Sequence, residues 1–385
     1  MRILSILPFS PPSPKFGGAE RQMHSLHKGL LARGVEVHVL ADIRQVIHGY
    51  QKFEGLPIWG VPFPVLTSCP LSPGNIEFWL VWRTIRHVVL ERIPRPDLIQ
   101  VTTFRQPAMV GYWLAKVLDV PWIVRLASSG SYSDLTFTLG NWLSRWQLPR
   151  MVRDVSRIIA LDKNTCDQAI AHGAVPDKVK IIQSGLVFRR FPSGDGRHFG
   201  KHPLPILFLG RLSKEKYVNS LLEAFQRGCN LYNRKWMLMI AGNGELKNAL
   251  EDYASRLDIS DRCEFLGAVT SPEDVLEKAG CFVNPSEGEG LPNAVLEAAA
   301  YGLPLILSDI PIHREIAEAV GMSDYLFPVG DSTILAERLN RFMNLNGAEK
   351  ELLSRHCASF GRGFTPKIRD QAYYELYCQL LKEIR

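Results

Sequence analysis

The chain lacks several things, and each absence narrows what it can be. Its 7 cysteines stand at 69, 166, 229, 263, 281, 357 and 378; no two have C-x-x-C spacing and their number is odd. That pattern argues against a disulfide framework or a zinc site, and the thiols read as reduced and cytosolic. No run reaches the roughly eighteen apolar residues of a spanning helix. There is no G-x-G-x-x-G dinucleotide loop, no G-x4-G-K-[ST] phosphate loop and no G-x-S-x-G nucleophile elbow. No D-x-D occurs either, so a carboxylate-held metal is not signalled and no metal site is expected.

What is present is apolar material in quantity. Of 385 residues, 46% are hydrophobic and 22% charged, too apolar for a disordered chain and too long for one comfortable core, so two domains are expected. The opening MRILSILPFSPPSPKFGG reads as a first strand rather than a signal peptide, since Pro8 breaks its short apolar run. Charge is uneven. Residues 1–185 hold 21 Lys and Arg against 13 Asp and Glu, whereas residues 186–385 hold 24 against 26. The first half therefore reads as facing something anionic, against a plain alternative of solvated arginines.

The chain alternates strand and helix. Arg2–Leu7 and Val35–Ala41 flank a helix over Glu20–Arg33 with Met23, Leu26, Leu30 and Leu31 at helical spacing. Segments 96–101, 121–124, 157–161 and 179–183 continue the rhythm, with a helix near Ala108–Leu118 and irregular structure expected over 55–75. The stretch FRRFPSGDGRHFGKHPLP, residues 188–205, has linker composition. The rhythm then restarts with strands near 206–209, 236–241, 263–266, 281–285 and 304–308. Such a pattern implies α/β architecture with two doubly wound, Rossmann-like parallel sheets facing across a cleft. The expected domains are 1–187 and 206–366. An amphipathic final helix, 367–385, either caps the second domain or packs back on the first.

Four loops could carry chemistry. In Asn284–Glu297 an apolar strand runs into the acidic, glycine-rich turn SEGEGLPN, and a helix opens near Pro292. The free amides of that first turn make a ready phosphate site. Glu289 and Glu297, eight apart, suit a ligand that also presents sugar hydroxyls, because hydroxyls donate to carboxylates. The plain reading is a solvated acidic turn. Gly210-Arg211-Leu212-Ser213-Lys214-Glu215-Lys216 offers an Arg fork and a mobile Lys to a diphosphate, or else is a surface loop. Gly17-Gly18-Ala19-Glu20 and Ala241-Gly242-Asn243-Gly244-Glu245 each bring glycine backbone to the start of a helix.

Taken in order, GGAE, GRLSKEK, IAGNGEL and SEGEGLPNAVLEAAAYGLPLI resemble the family 4 retaining glycosyltransferases of the GT-B fold over nearly the whole chain. The resemblance implies a nucleotide-diphosphate sugar as co-substrate, held mainly by the second domain, with no further cofactor. Arg211 and Lys216 match the family's basic pair on the pyrophosphate. Glu289 matches the acid near the donor sugar, and Glu297 the acid on the nucleotide ribose. The amides of Leu291 and Asn293 and the Gly17–Gly18 loop would surround the phosphates. Gly210, Gly290, Pro292, Asn243 and Gly244 would contribute to donor binding, and the base would lie near Phe265–Val269, including Gly267 and Val269. The acceptor, a sugar or lipid-linked sugar, would enter from the first domain.

Three departures stand out. Tyr217 replaces a common Gly after the second basic residue, Ser184-Gly185 replaces a common Asn-Gly, and Ala127-Ser128-Ser129-Gly130 offers no histidine where many relatives have one. The altered 127–130 loop keeps open a non-catalytic sugar-nucleotide binder. An epimerase on the same fold is a further alternative, but no motif for acid/base chemistry on the sugar's own C–H bond stands out. Trp79, Trp82, Arg83 and Arg86, with Trp142, Arg145, Trp146, Arg150, Arg153 and Arg157, suggest peripheral contact with an anionic membrane at its inner face. Nucleic acid is not an expected partner.

Overall fold

The computed structural model describes every residue except 9, 11–17, 43–48, 64–74, 105, 127–134, 136–141, 189–198, 200–203, 234, 270 and 385. The chain forms two compact units: Met1–Gly185 with Thr365–Arg385, and Leu186–Phe364.

The first unit is built on eight strands: β1 Arg2–Leu7, β2 Glu36–Ala41, β3 Gly49–Phe53, β4 Leu56–Gly60, β5 Leu98–Thr102, β6 Trp122–Arg125, β7 Arg157–Ala160 and β8 Val179–Ile181. Their spatial order is β3-β4-β2-β1-β5-β6-β7-β8. Every pairing is parallel except β3 with β4. Side chains alternate between faces along a strand. Leu4, Ile6, Ile99, Val101 and Val124 therefore enter one apolar layer, and Ile3, Leu7, Leu98 and Ile123 the other. The second layer is closed by Met23, Leu26 and Leu30 from the helix Gly18–Leu31 and by Tyr373, Tyr377 and Leu380 from the helix Pro366–Ile384. The final helix is thus part of the first unit and does not cap the second.

Irregular structure is not what residues 56–60 adopt. They form β4, paired with β3 through a two-residue turn at Glu54 and Gly55, both at positive φ (47° and 87°). That is the geometry whose twist suits a hairpin. Pro57 and a non-glycine first turn residue hide the hairpin in the sequence. Of the proline-rich stretch, 64–74 lies outside the described residues.

The second unit has five parallel strands: β9 Ile206–Leu209, β10 Leu238–Ala241, β11 Cys263–Gly267, β12 Cys281–Asn284 and β13 Leu305–Leu307. Their order, β11-β10-β9-β12-β13, reverses direction between β9 and β12. A ligand crevice in such sheets lies beyond the carboxyl ends of the strands at that reversal. The helix Asn293–Ala300 leaves β12 at this point. Its Ala298-Ala299-Ala300 run admits a close neighbour: a Cβ added at Gly361 would stand 2.2 Å from the Ala300 nitrogen. The helix Gly347–Gly361 therefore lies directly against it and fixes its position.

Candidate active site

The loops after β9 and β12 emerge side by side at the reversal, and two of their side chains meet. Lys216 Nζ donates to Glu289 Oε1 at 2.5 Å, with the two side chains 18% and 14% exposed. Asn284 Nδ2 donates to the same oxygen at 3.2 Å. Ser286 Oγ lies 2.8 Å from Glu289 Oε1 and 2.6 Å from Asn284 Oδ1. Behind them Ser308 Oγ donates to the Ser286 carbonyl at 2.5 Å. His313 Nδ1 lies 3.0 Å from both the Ser308 carbonyl and Ser308 Oγ. A carbonyl only accepts, so Nδ1 carries the proton and Nε2 is the bare nitrogen. The two loops are also tied through backbone, Glu287 N donating to Glu215 O at 2.9 Å.

This packing sets the electrostatics. Burial alone would push the Glu289 carboxyl up, but the charge and hydrogen bond of Lys216, aided by His313 and Ser286, hold it below its ordinary value. Burial pushes the His313 imidazole down to about 4, against the opposing pull of Glu289 and the Ser308 carbonyl. Glu289 is therefore a carboxylate and His313 a neutral ring at neutral pH.

The other expected residues lie on the segments at and after the ends of β9, β10, β11 and β12 and, for Gly17 and Gly18, in the other unit. Gly210, at the end of β9, donates its N–H to Ala241 O at 3.0 Å, and Leu212 N donates to Asn243 O at 3.0 Å. A Cβ at Gly242, where φ is 149°, would stand 1.7 Å from Gly210 O; one at Gly244 would stand 2.3 Å from Leu212 O. Glycine is needed there because the two loops lie backbone against backbone. Gly242 N donates to Gly267 O at 2.7 Å, extending the seam to β11, and Val269 follows half-buried. Arg211 is exposed beside this seam. Gly290 and Leu291 are buried, Pro292 caps the helix in extended backbone, Asn293 opens it, and Glu297 lies half-buried one turn on. Gly18 is the first residue of its helix in the other unit, and Gly17 lies outside the described residues.

Tyr217 has a physical explanation. Its φ of 49° is left-handed, the conformation for which glycine is the easy choice. A tyrosine keeps the backbone turn, and its ring lies beside Gly330, 3.5 Å from where a Cβ would sit. Gly185 is likewise fixed by space, since its Cβ would stand 2.6 Å from Pro366 Cα. The segment 127–130 lies outside the described residues.

Sequence reading did not single out Asn284, Ser286, Ser308 or His313. The first two stand within the acidic loop's own stretch. Ser308 and His313 had no local signal, because only the pairing of Asn284 with Leu307 across β12 and β13 brings them under the loop.

Known proteins resemble this chain along most of its length. Residues 197–357 match the family described as Glycosyl transferases group 1, and residues 17–185 match the Glycosyl transferase 4-like domain. Anabaena HepE in complex with UDP and glucose gives a TM-score of 0.74 at 18% identity, over 98% of this chain and 100% of that one. Sucrose-phosphate synthase from Thermosynechococcus elongatus gives 0.77 at 16% identity, over 100% of both chains. The fold is GT-B. An uncharacterised glycosyltransferase of Methanocaldococcus jannaschii is 24% identical over 360 residues, 86% of each chain. Glycogen synthase of Mycobacterium tuberculosis is 27% identical over 346 residues, 80% of this chain and 78% of that one. A second Methanocaldococcus jannaschii glycosyltransferase is 37% identical over 114 residues, which span 28% of it. The chain belongs to the group 1 glycosyltransferases.

Proposed function

We propose that this glycosyltransferase is a retaining, metal-independent enzyme that moves a sugar from a nucleotide-diphosphate sugar to a hydroxyl acceptor in polysaccharide or glycolipid synthesis. The observation that carries the reading is the Lys216–Glu289 pair at the strand-order reversal, beside the N-terminus of the helix Asn293–Ala300. Breaking the bond between the anomeric carbon and the diphosphate leaves negative charge on the departing oxygen. Lys216, Arg211 and the first-turn amides around Leu291 and Asn293 are fixed positive groups of the kind that stabilise such charge. Glu289 accepts from a sugar hydroxyl and Glu297 from the ribose. The acceptor oxygen bonds to the anomeric carbon, and its proton ends on the departing diphosphate. A diphosphate drawn to Lys216 competes with Glu289 for it, so donor binding loosens the ion pair.

The finer placement is at the inner face of a membrane, in the cytoplasm. Among the described residues no helix is long and apolar enough to cross a membrane. The helix Asn75–Glu91 exposes Leu80 and Leu90 alongside Arg83 and Arg86, and Gln106–Leu118 exposes Trp113, Lys116 and Val117. Mixed apolar and basic exposure suits an anionic lipid surface. Trp82 instead packs against the core, and Arg157 lies on β7 with Nη2 2.5 Å from Glu383 Oε2. The side chains of Trp79, Trp142, Arg145 and Trp146 lie outside the described residues.

The test incubates purified protein with UDP-, GDP- and ADP-sugars and a panel of sugar acceptors, following products by NMR. A glycoside of unchanged anomeric configuration, formed equally in EDTA, supports the reading. Binding without donor consumption, or an epimerised donor without glycoside, overturns it.

A further inference from the structure

The carboxyl edge of the first unit's sheet carries a second polar cluster. Arg125, the last residue of β6, is only 3% exposed, yet its Nη1 has no hydrogen-bond partner. Thr102, its register partner on β5, is fully buried with an unpartnered Oγ1, and so is the Oγ1 of Thr103. Thr103 stands at φ 70°, a strained setting for a β-branched residue, held by its N–H donating to Arg125 O at 2.9 Å.

The charges nearby do not neutralise Arg125. The facing groups are Arg369 and Tyr373 of the final helix; both feel its charge, and the guanidinium also hydrogen-bonds the Tyr373 hydroxyl, which leaves Nη1 without a partner. Asp370 is the adjacent carboxylate, but Arg369 already occupies it, with Nε at 2.9 Å and Nη2 at 2.7 Å from Oδ1. Its other oxygen faces Arg33 at 3.8 Å. Arg369 Nη1 continues to Gln22 Oε1 at 2.9 Å, and its Nη2 to Ser25 Oγ at 2.9 Å. His27, buried on the same helix as Gln22, is held neutral, pushed down to about 3 by burial and by its cationic neighbours. Among the described residues, no carboxylate forms an ion pair with Arg125. A buried guanidinium without an anion is costly, and unpaired buried hydroxyls beside it add to that cost. The cluster also sits where parallel sheets take their ligands.

We propose that Arg125, with the hydroxyls of Thr102 and Thr103, forms an oxyanion site that holds a phosphate or carboxylate group of the acceptor. The proposal rests on the glycosyltransferase reading for the word acceptor, and on the cluster alone for the anion. The guanidinium supplies a planar donor to two oxygens, and the hydroxyls donate to the remaining ones. A neutral sugar satisfies the hydroxyls but leaves the charge uncompensated, so anionic acceptors are preferred.

The experiment uses the full chain and titrates inorganic phosphate, glucose 6-phosphate, glucuronate and glucose, reading the rise in Tm and calorimetric binding, with UDP titrated in parallel. Expected is stabilisation by at least one anionic probe and none by glucose. Preference for glucose 6-phosphate over phosphate or glucuronate assigns a phosphorylated sugar, and the reverse preference for glucuronate a sugar acid. The decisive variants are Arg125→Met and Thr102→Val. Arg125→Met should weaken anion binding at least ~10-fold, the loss of one charge-assisted contact. It should leave UDP binding unchanged and leave Tm without ligand equal or higher, because an unpaired buried charge is gone. Thr102→Val should weaken anion binding with little change in Tm. A lowered Tm or failure to fold in Arg125→Met makes Arg125 a strut for Tyr373 and overturns the proposal. Absence of binding by all three anions in the wild type overturns it equally. Anion binding without UDP binding fails the donor reading while the oxyanion site stands.

Discussion

The two units are built on the same plan and finish their carboxyl edges in opposite ways. In the second unit the charged and hydroxyl side chains close on one another: Lys216 on Glu289, Glu289 with Ser286 and Asn284, Ser308 on Ser286, His313 Nδ1 on Ser308. Among the described residues at this edge, only His313 Nε2 and Asn293 Oδ1 are buried without a partner. In the first unit Arg125, Thr102 and Thr103 each keep a buried polar atom without a partner. A closed network fixes its members before a ligand arrives; an open one favours whatever completes it. Under the proposed function, the second unit would hold a donor site set before the ligand arrives, and the first an acceptor site completed by its ligand.

The sharpest way to break this comparison is to dismantle the closed network. Glu289→Ala should lower turnover at least ~100-fold, the scale of losing one preorganised polar contact to developing charge. Glu297→Ala should act mainly on donor binding. Initial rates at saturating donor decide this, and comparable turnover in Glu289→Ala would remove that residue from the site. Arg211→Ala and Lys216→Ala should each cost about 2–4 kcal/mol in kcat/KM, and Arg211→Lys should also be damaging because the planar fork is lost.

Next in size are acid effects. His313 takes its proton at about 4 and His27 at about 3 when folded, both below the ordinary 6.5. The unfolded chain therefore binds more protons between those values and 6.5. Stability falls as pH drops through that window, by up to ~1.4 kcal/mol per pH unit for each ring, and is restored above it. Thermal melts from pH 7 to 4 should show the loss, and His27→Leu should flatten it for the first unit alone. A profile unchanged by His27→Leu would place that ring in contact with water.

A backbone test follows. Gly242→Ala should cost about 2 kcal/mol or more, since it adds positive-φ strain to overlap with Gly210 O. A wild-type Tm in that variant would mean that the seam between the loops after β9 and β10 opens freely. The smallest effect is at the exposed basic face. Arg83 and Arg86 should each contribute about 1 kcal/mol to binding anionic vesicles at low salt. Sedimentation with anionic and neutral vesicles at two salt concentrations measures it, and equal recovery in all four supernatants would assign a soluble acceptor.

Much of this was legible in the sequence, for physical reasons. Buried parallel strands announce themselves as short apolar runs, and glycine marks places where backbone meets backbone, as at Gly242 and Gly244. What stayed hidden was whatever depends on pairing across distance. The β3–β4 hairpin was masked by Pro57 and by Glu54 in a first turn position usually given to Asn, Asp or Gly. His313 reaches the site only through β13, and Arg125 looks like any strand-end arginine until its neighbours are counted.

The return of the last helix to the first unit has a consequence for how the protein is made. Tyr373, Leu376, Tyr377 and Leu380 complete a core whose other buried members stand between Ile3 and Ile182. A nascent chain therefore cannot finish its first unit when residue 185 leaves the ribosome. The continuous segment Leu186–Phe364 can fold ahead of it, although it is synthesised later. At the usual ~5–20 residues per second the first unit waits on the order of 10–40 s with one apolar layer only partly covered, by the helix Gly18–Leu31. Over that interval the layer is open to chaperones and to aggregation, so truncation at residue 364 should yield insoluble protein even though no loop named in the donor site has been touched.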